Sequence, residues 1–110
     1  MDALAASSPD DLVGRRGSVP LMRIETAGRA TVIVAGEIDA SSCSQLAAAL
    51  RRRSVELVDL AGVTFIDTAG LRTLVGAATD RGTHRPLRFV ASSRCVRRLA
   101  ALLGHDDRFR

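Results

Sequence analysis

Strand-like and helix-like periodicities meet within one stretch of this 110-residue chain, Val55–Leu71, and their junction leaves few folds open. Val55, Leu57, Val58 and Leu60 follow one another almost without polar interruption. That pattern is expected of a strand buried on both faces, as in a parallel sheet. Ala61 and Gly62 are read as its end. Leu71, Leu74, Val75 and Ala78 then recur at i, i+3, i+4 and i+7, which is one face of a helix. Asp67 and Thr68 stand just before that face, and either qualifies as its N-cap. A hydroxyl is therefore expected at a helix N-terminus, where the first-turn N–H groups are unpaired and the dipole is positive. An anion or a phosphorylated hydroxyl is well received there. Spacing alone favours the plainer reading of two ordinary capping residues, since capping residues stand at most helix starts.

The same alternation of strand and helix runs along the rest of the chain. Met1 to about Val19 has no sustained periodicity and reads as a flexible N-terminal tail, 1–19, ahead of one domain over 20–110. Leu21, Met22 and Ile24 predict a first strand, turned at Ala27-Gly28-Arg29 into a second, Thr31–Ala35. The two are expected to form an antiparallel hairpin. Gly36-Glu-Ile-Asp39 is read as leaving the sheet. Ser41 or Ser42 is the expected cap of a first helix with Cys43, Leu46, Ala47 and Leu50 on its apolar face, ending among Arg51, Arg52 and Arg53. The second helix is expected to stop near Arg81-Gly82, and Pro86 to introduce a fourth strand, Leu87–Ala91. Ser92 or Ser93 then caps a third helix, with Cys95 or Val96, Leu99, Ala100 and Leu103 inward and Gly104 closing it.

This order predicts a single α/β domain: a mainly parallel four-strand sheet with an N-terminal hairpin and about three packed helices, its crossovers right-handed. In such sheets ligand chemistry gathers at the carboxyl ends of the strands. Asp39 after the second strand and Asp67 after the third are thus expected near Thr68.

Composition removes several functions. All sixteen basic residues are arginine, against twelve acidic ones, and lysine is absent. A Walker-type phosphate loop, a lysine Schiff base and a phospho-aspartate receiver domain all lose a residue they require. The net charge of +4 raises nucleic acid as a partner, but Phe65, Phe89 and Phe109 are the only aromatic residues. Two of these fit buried strand or pre-helix positions, so no stacking platform remains and no nucleic-acid partner is expected. Cys43 and Cys95 lack metal-ligand spacing and are read as reduced thiols. His84 and His105 are expected at the solvent, outside any nucleophile and base arrangement. No cofactor, metal or enzymatic activity is expected, and neither a signal peptide nor a membrane-spanning run is evident. A cytoplasmic location follows as an expectation.

The run Phe65-Ile-Asp-Thr-Ala-Gly-Leu71, preceded by Val58-Asp-Leu-Ala-Gly-Val63, resembles the signature of STAS domains, in particular of bacterial anti-sigma factor antagonists. Gly36-Glu-Ile-Asp39 resembles their second recurrent motif, and the likeness extends over roughly Leu21–Leu103. The resemblance implies a non-enzymatic role in transcription regulation by partner switching. The unmodified protein would bind an anti-sigma factor that is also a serine/threonine kinase and so release the sigma factor. Phosphorylation of the residue after the motif aspartate, here Thr68, would end that binding, and a phosphatase would restore it. Asp39, Asp67, Thr68, Ala69, Gly70 and Leu71 are the partner-binding residues it implies. Asp39 and Asp67 would orient the acceptor or touch the kinase, and Gly70 would admit close backbone approach. Threonine replaces the commoner serine, and Ala69 leaves Thr68 as the only acceptor in the motif. The competing reading is a STAS scaffold or sensor module indifferent to phosphorylation, with Thr68 acting only as a cap.

Overall fold

All four strands expected from the apolar runs form, and two of them run further than their sequences suggest. The computed structural model describes residues 21–52, 54–80 and 87–109. Expectations placed on the tail 1–19, Arg53, Arg81-Gly82, His84 and Pro86 lie outside the described residues. Strand β1 (Met22–Ala27) pairs antiparallel with β2 (Thr31–Ile38). Strands β3 (Leu57–Ile66) and β4 (Arg88–Val90) follow, with β2, β3 and β4 mutually parallel, in the order β1-β2-β3-β4. Helix α1 (Cys43–Leu50) lies between β2 and β3 in the chain, α2 (Thr68–Asp80) between β3 and β4, and α3 (Arg94–Leu102) after β4.

One face of this sheet is sealed and the other only partly covered. Val32, Val34 and Ile38 of β2 and Val58, Leu60, Val63 and Ile66 of β3 are buried, forming one core with Leu46 and Leu50 of α1, Leu71 and Leu74 of α2, and Val96 and Ala100 of α3. Thr31, Ile33, Ala35, Leu57 and Asp59 on the opposite face are half-buried. The apolar runs therefore do not mark strands buried on both faces: Ile33 and Leu57 are apolar residues on a half-exposed surface.

Two strand ends also differ from expectation. Gly36-Glu-Ile does not leave the sheet, because Gly36 takes φ +91°, a conformation open to glycine. A Cβ there would collide with the Leu21 carbonyl. That carbonyl accepts the Glu37 N–H at 2.7 Å, so β2 bends and continues. Nor do Ala61 and Gly62 end β3. The register steps from Ile33↔Asp59 to Ala35↔Gly62 and from Gly36↔Val63 to Glu37↔Phe65, so each step puts one additional residue into β3. The Asp59 carboxylate accepts the Ala61 N–H at 2.9 Å and satisfies the first bulge. Buried positions thereby fall three apart, at Leu60, Val63 and Ile66.

Two of the three aromatic residues differ from expectation, Phe65 because of the bulges and Phe109 because of a turn at Gly104. Phe65 lies between Val63 and Ile66, both turned to the core, and is 48% exposed rather than buried. Phe109 is the residue that enters the core, at 2% exposure, bridging to Phe89 with ring centroids 4.6 Å apart. The chain reaches that position because Gly104, at φ +80°, lets His105 N–H return to the Ala100 carbonyl at 2.7 Å. This turn leaves His105 half-buried and Leu103, expected inward, 39% exposed.

Candidate phosphorylation and partner-binding site

The carboxyl ends of β2 and β3 meet at one point. Ile38 and Ile66 are register partners, and Asp67 N–H donates to the Ile38 carbonyl at 3.1 Å. Asp39 and Asp67 therefore begin adjacent connections, and each caps a helical turn. Asp67 is the N-cap of α2: its Oδ1 accepts the Gly70 N–H at 2.8 Å and its carbonyl accepts the Leu71 N–H at 3.0 Å. Asp39 caps a short 3-10 turn, Ala40–Ser42, that precedes α1; Ser42 holds the N-cap position of α1 as expected but makes no side-chain capping bond there. Its carboxylate takes the Ser41 N–H at 3.0 Å and the Ser41 hydroxyl at 2.6 Å, while the Ser42 hydroxyl oxygen accepts the Asp39 N–H at 3.0 Å. The Ser41 hydroxyl, more than any other contact, holds the Asp39 carboxyl below the usual carboxylate range.

With Asp67 as the cap, Thr68 becomes the first residue of α2 and is exposed. Its hydroxyl has no hydrogen-bond partner among the described residues. Ala69 is half-buried, and its carbonyl accepts the Thr73 hydroxyl at 2.9 Å. Gly70 and Leu71 are buried. A Cβ on Gly70 would sit 2.7 Å from Ile38 Cγ2 and 3.1 Å from both the Ile38 carbonyl oxygen and Ile66 Cγ1, so its small size serves the seating of α2 on the strand ends. Leu71 is wholly buried in the core. The accessible part of the expected site is thus Asp39, Asp67, Thr68 and Ala69. Two residues escaped the sequence reading: exposed Phe65, and exposed Glu37, its register partner on β2. Only the bulges of β3 turn Phe65 outward, and nothing in the periodicity announces them.

Chemically the site offers an exposed threonine hydroxyl beside a half-buried capping carboxylate. The first turn of α2 carries no acidic side chain, so its positive end is opposed by Asp67 at the cap alone. Among the described residues no group of histidine, cysteine, aspartate or glutamate could hold a metal ion. Cys43 and Cys95 are free thiols, both half-buried. Among the described residues no helix is long and apolar enough to cross a membrane.

Comparison with known proteins places this geometry. The profile of the family described as "Mlab, STAS domain" matches residues 22–109. The chain is a STAS domain. Its fold matches the unphosphorylated anti-sigma factor antagonist SpoIIAA with a TM-score of 0.60 at 20% identity, over 81% of this chain and 85% of that one. An anti-sigma factor antagonist from Mycobacterium paratuberculosis matches with a TM-score of 0.65 at 28% identity, over 80% of each chain. A STAS-domain antisigma-factor antagonist from Rhodobacter sphaeroides matches with a TM-score of 0.51 at 20% identity, over 67% of this chain and 91% of that one. No curated protein sequence matches significantly. Within the STAS domain, Asp67 and Thr68 occupy the junction of β3 and α2.

Proposed function

We propose that this STAS domain is an anti-sigma factor antagonist switched by phosphorylation of Thr68. In the unmodified state it binds an anti-sigma factor that is also a serine/threonine kinase, and the sigma factor is released. The kinase then transfers the γ-phosphoryl group of its nucleotide to Thr68 Oγ1. The nucleoside diphosphate leaves, and the hydroxyl proton passes to a base of the kinase. A phosphatase reverses the step by hydrolysis.

The observation that carries this reading is the division of labour at the start of α2. Asp67 does the capping, so the exposed Thr68 hydroxyl is left without a structural task. Similarity to anti-sigma factor antagonists supports the same assignment. A phosphate adds about −1.5 to −2 charges at pH 7. The α2 N-terminus stabilises that charge within the domain, whereas at a tight interface it must be desolvated beside Asp67 and Asp39. The switch is then a local change of surface charge and bulk that leaves the fold alone.

Thr68→Ala is expected to keep binding to the partner kinase and Thr68→Glu to lose it, with both variants folded. Equal binding by the two would replace the switch with the phosphorylation-independent scaffold or sensor reading.

A further inference from the structure

Among the described residues strand β1 is the outer strand of the sheet and pairs with β2 alone. The Leu21 carbonyl accepts Glu37 N–H, and the pairing continues unbroken through Arg23↔Ala35, Glu25↔Ile33 and Ala27↔Thr31. Hydrogen-bonded and non-hydrogen-bonded pairs alternate in an antiparallel ladder. The odd-numbered residues therefore turn their backbone groups to β2, and Met22, Ile24 and Thr26 turn theirs outward. Met22–Ala27 has no proline, no lysine and no bulge, and the charged residues it does carry are of opposite sign. Arg23 and Glu25 flank Ile24, both are exposed, and neither has an ion-pair partner among the described residues.

We propose that β1 pairs antiparallel with β1 of a second copy of this chain, about a two-fold axis beside Ile24. The segment Met-Arg-Ile-Glu-Thr is self-complementary in that register. Ile24 lies opposite the partner's Ile24, and Met22 opposite the partner's Thr26. All three outward-facing residues then exchange main-chain hydrogen bonds. Arg23 falls opposite the partner's Glu25 in the non-hydrogen-bonded pairs, where facing side chains approach most closely. A parallel in-register pairing would set like charges against each other, so the charges select both the second copy and its direction. Half-buried Ile24, already packed against the core beside Met22, gains an apolar neighbour on the same face. The two β2 strands then run in opposite directions. Each Thr68 sits at its own end of the joined sheet, and both remain open.

The test is the oligomeric state of the full chain, measured by sedimentation across a range of concentrations. A concentration-dependent dimer is expected. Arg23→Glu and Glu25→Arg should each weaken it roughly tenfold or more by creating two like-charge pairs. The double variant, and an equimolar mixture of the two single variants, should restore it. Thr26→Pro should abolish it while the domain stays folded, because that N–H faces outward and is not used by β2. A wild-type chain that is monomeric throughout, or a dimer indifferent to these substitutions, overturns the proposal. So does a monomer whose Met22, Ile24 and Thr26 amides resist hydrogen exchange, since another segment then occupies the edge.

Discussion

Replacing Asp67 and Thr68 by alanine one at a time separates the residue that builds the helix start from the residue left free by it. Asp67→Ala removes the carboxylate that holds the Gly70 N–H at 2.8 Å, and no neighbouring acidic side chain in the first turn takes its place. Loss of an N-cap costs about 0.5–2 kcal/mol. The short bond and half-buried position of Asp67 argue for the upper half of that range. For a domain of this size each kcal/mol lowers Tm by about 4–8 °C. Thr68→Ala removes an exposed hydroxyl without a partner and places a better helix former at the first helical position. It should lie within about 0.5 kcal/mol of wild type. Asp67→Asn should retain most of the stability, since asparagine caps about as well as aspartate. Urea unfolding at pH 7 with matched m-values gives the comparison directly. A Thr68→Ala loss as large as that of Asp67→Ala would return threonine to a capping role and remove the argument that its hydroxyl is free.

Elsewhere the junction of β4 and α3 carries two avoidable costs. Ala91 has φ +53° and Ser92 Oγ is buried without a partner among the described residues, so Ala91→Gly and Ser92→Ala should each raise stability by roughly 0.5–1 kcal/mol, read from urea midpoints. Phe109→Ala empties a buried position stacked on Phe89 and should cost about 3–4 kcal/mol in the same assay. The folded-state pKa of Asp39 is lowered from its ordinary 3.8, so its stabilising contribution is present above that value and fades as pH falls through the lowered one. Ser41→Ala removes the largest cause, and a carboxyl NMR titration should find the Asp39 pKa moved upward.

Much of the fold was legible because burial and periodicity agree. The runs Thr31–Ala35 and Val55–Leu60 announce strands, and Leu71 and Leu74 announce the inward face of α2. What the sequence conceals is local hydrogen bonding. The reach of Asp59 to the Ala61 N–H converts an apparent strand end into a bulge, and a second bulge follows between Val63 and Phe65. Those two insertions decide that Phe65 faces outward. Phe109 was hidden for a different reason: a lone aromatic after His-Asp-Asp-Arg reads as tail until the positive φ of Gly104 turns the chain back.

At the candidate site the positions were legible and the division of tasks was not. Asp67 and Thr68 are both good N-caps by type, and the choice is made by tertiary contact, the Asp67 N–H being tied to the Ile38 carbonyl at the end of β2. Likewise Gly70 and Leu71 belong to the motif by sequence, yet their burial assigns them to seating the helix. Convergence of Asp39 with Asp67 did follow from strand order. That Asp39 is engaged by Ser41 and Ser42 did not, because both serines looked like caps themselves.

The proposed switch rests on the free hydroxyl of Thr68. Its most direct test is capture of the full chain from its native cell, with mass spectrometry reading both the co-purifying proteins and phosphate occupancy at Thr68 in the bound and unbound pools. An anti-sigma factor kinase is expected with unmodified chain in the bound pool, and phosphorylated Thr68 only in the unbound one. Phosphate at Thr68 in equal measure in both pools, or none in either, would contradict it.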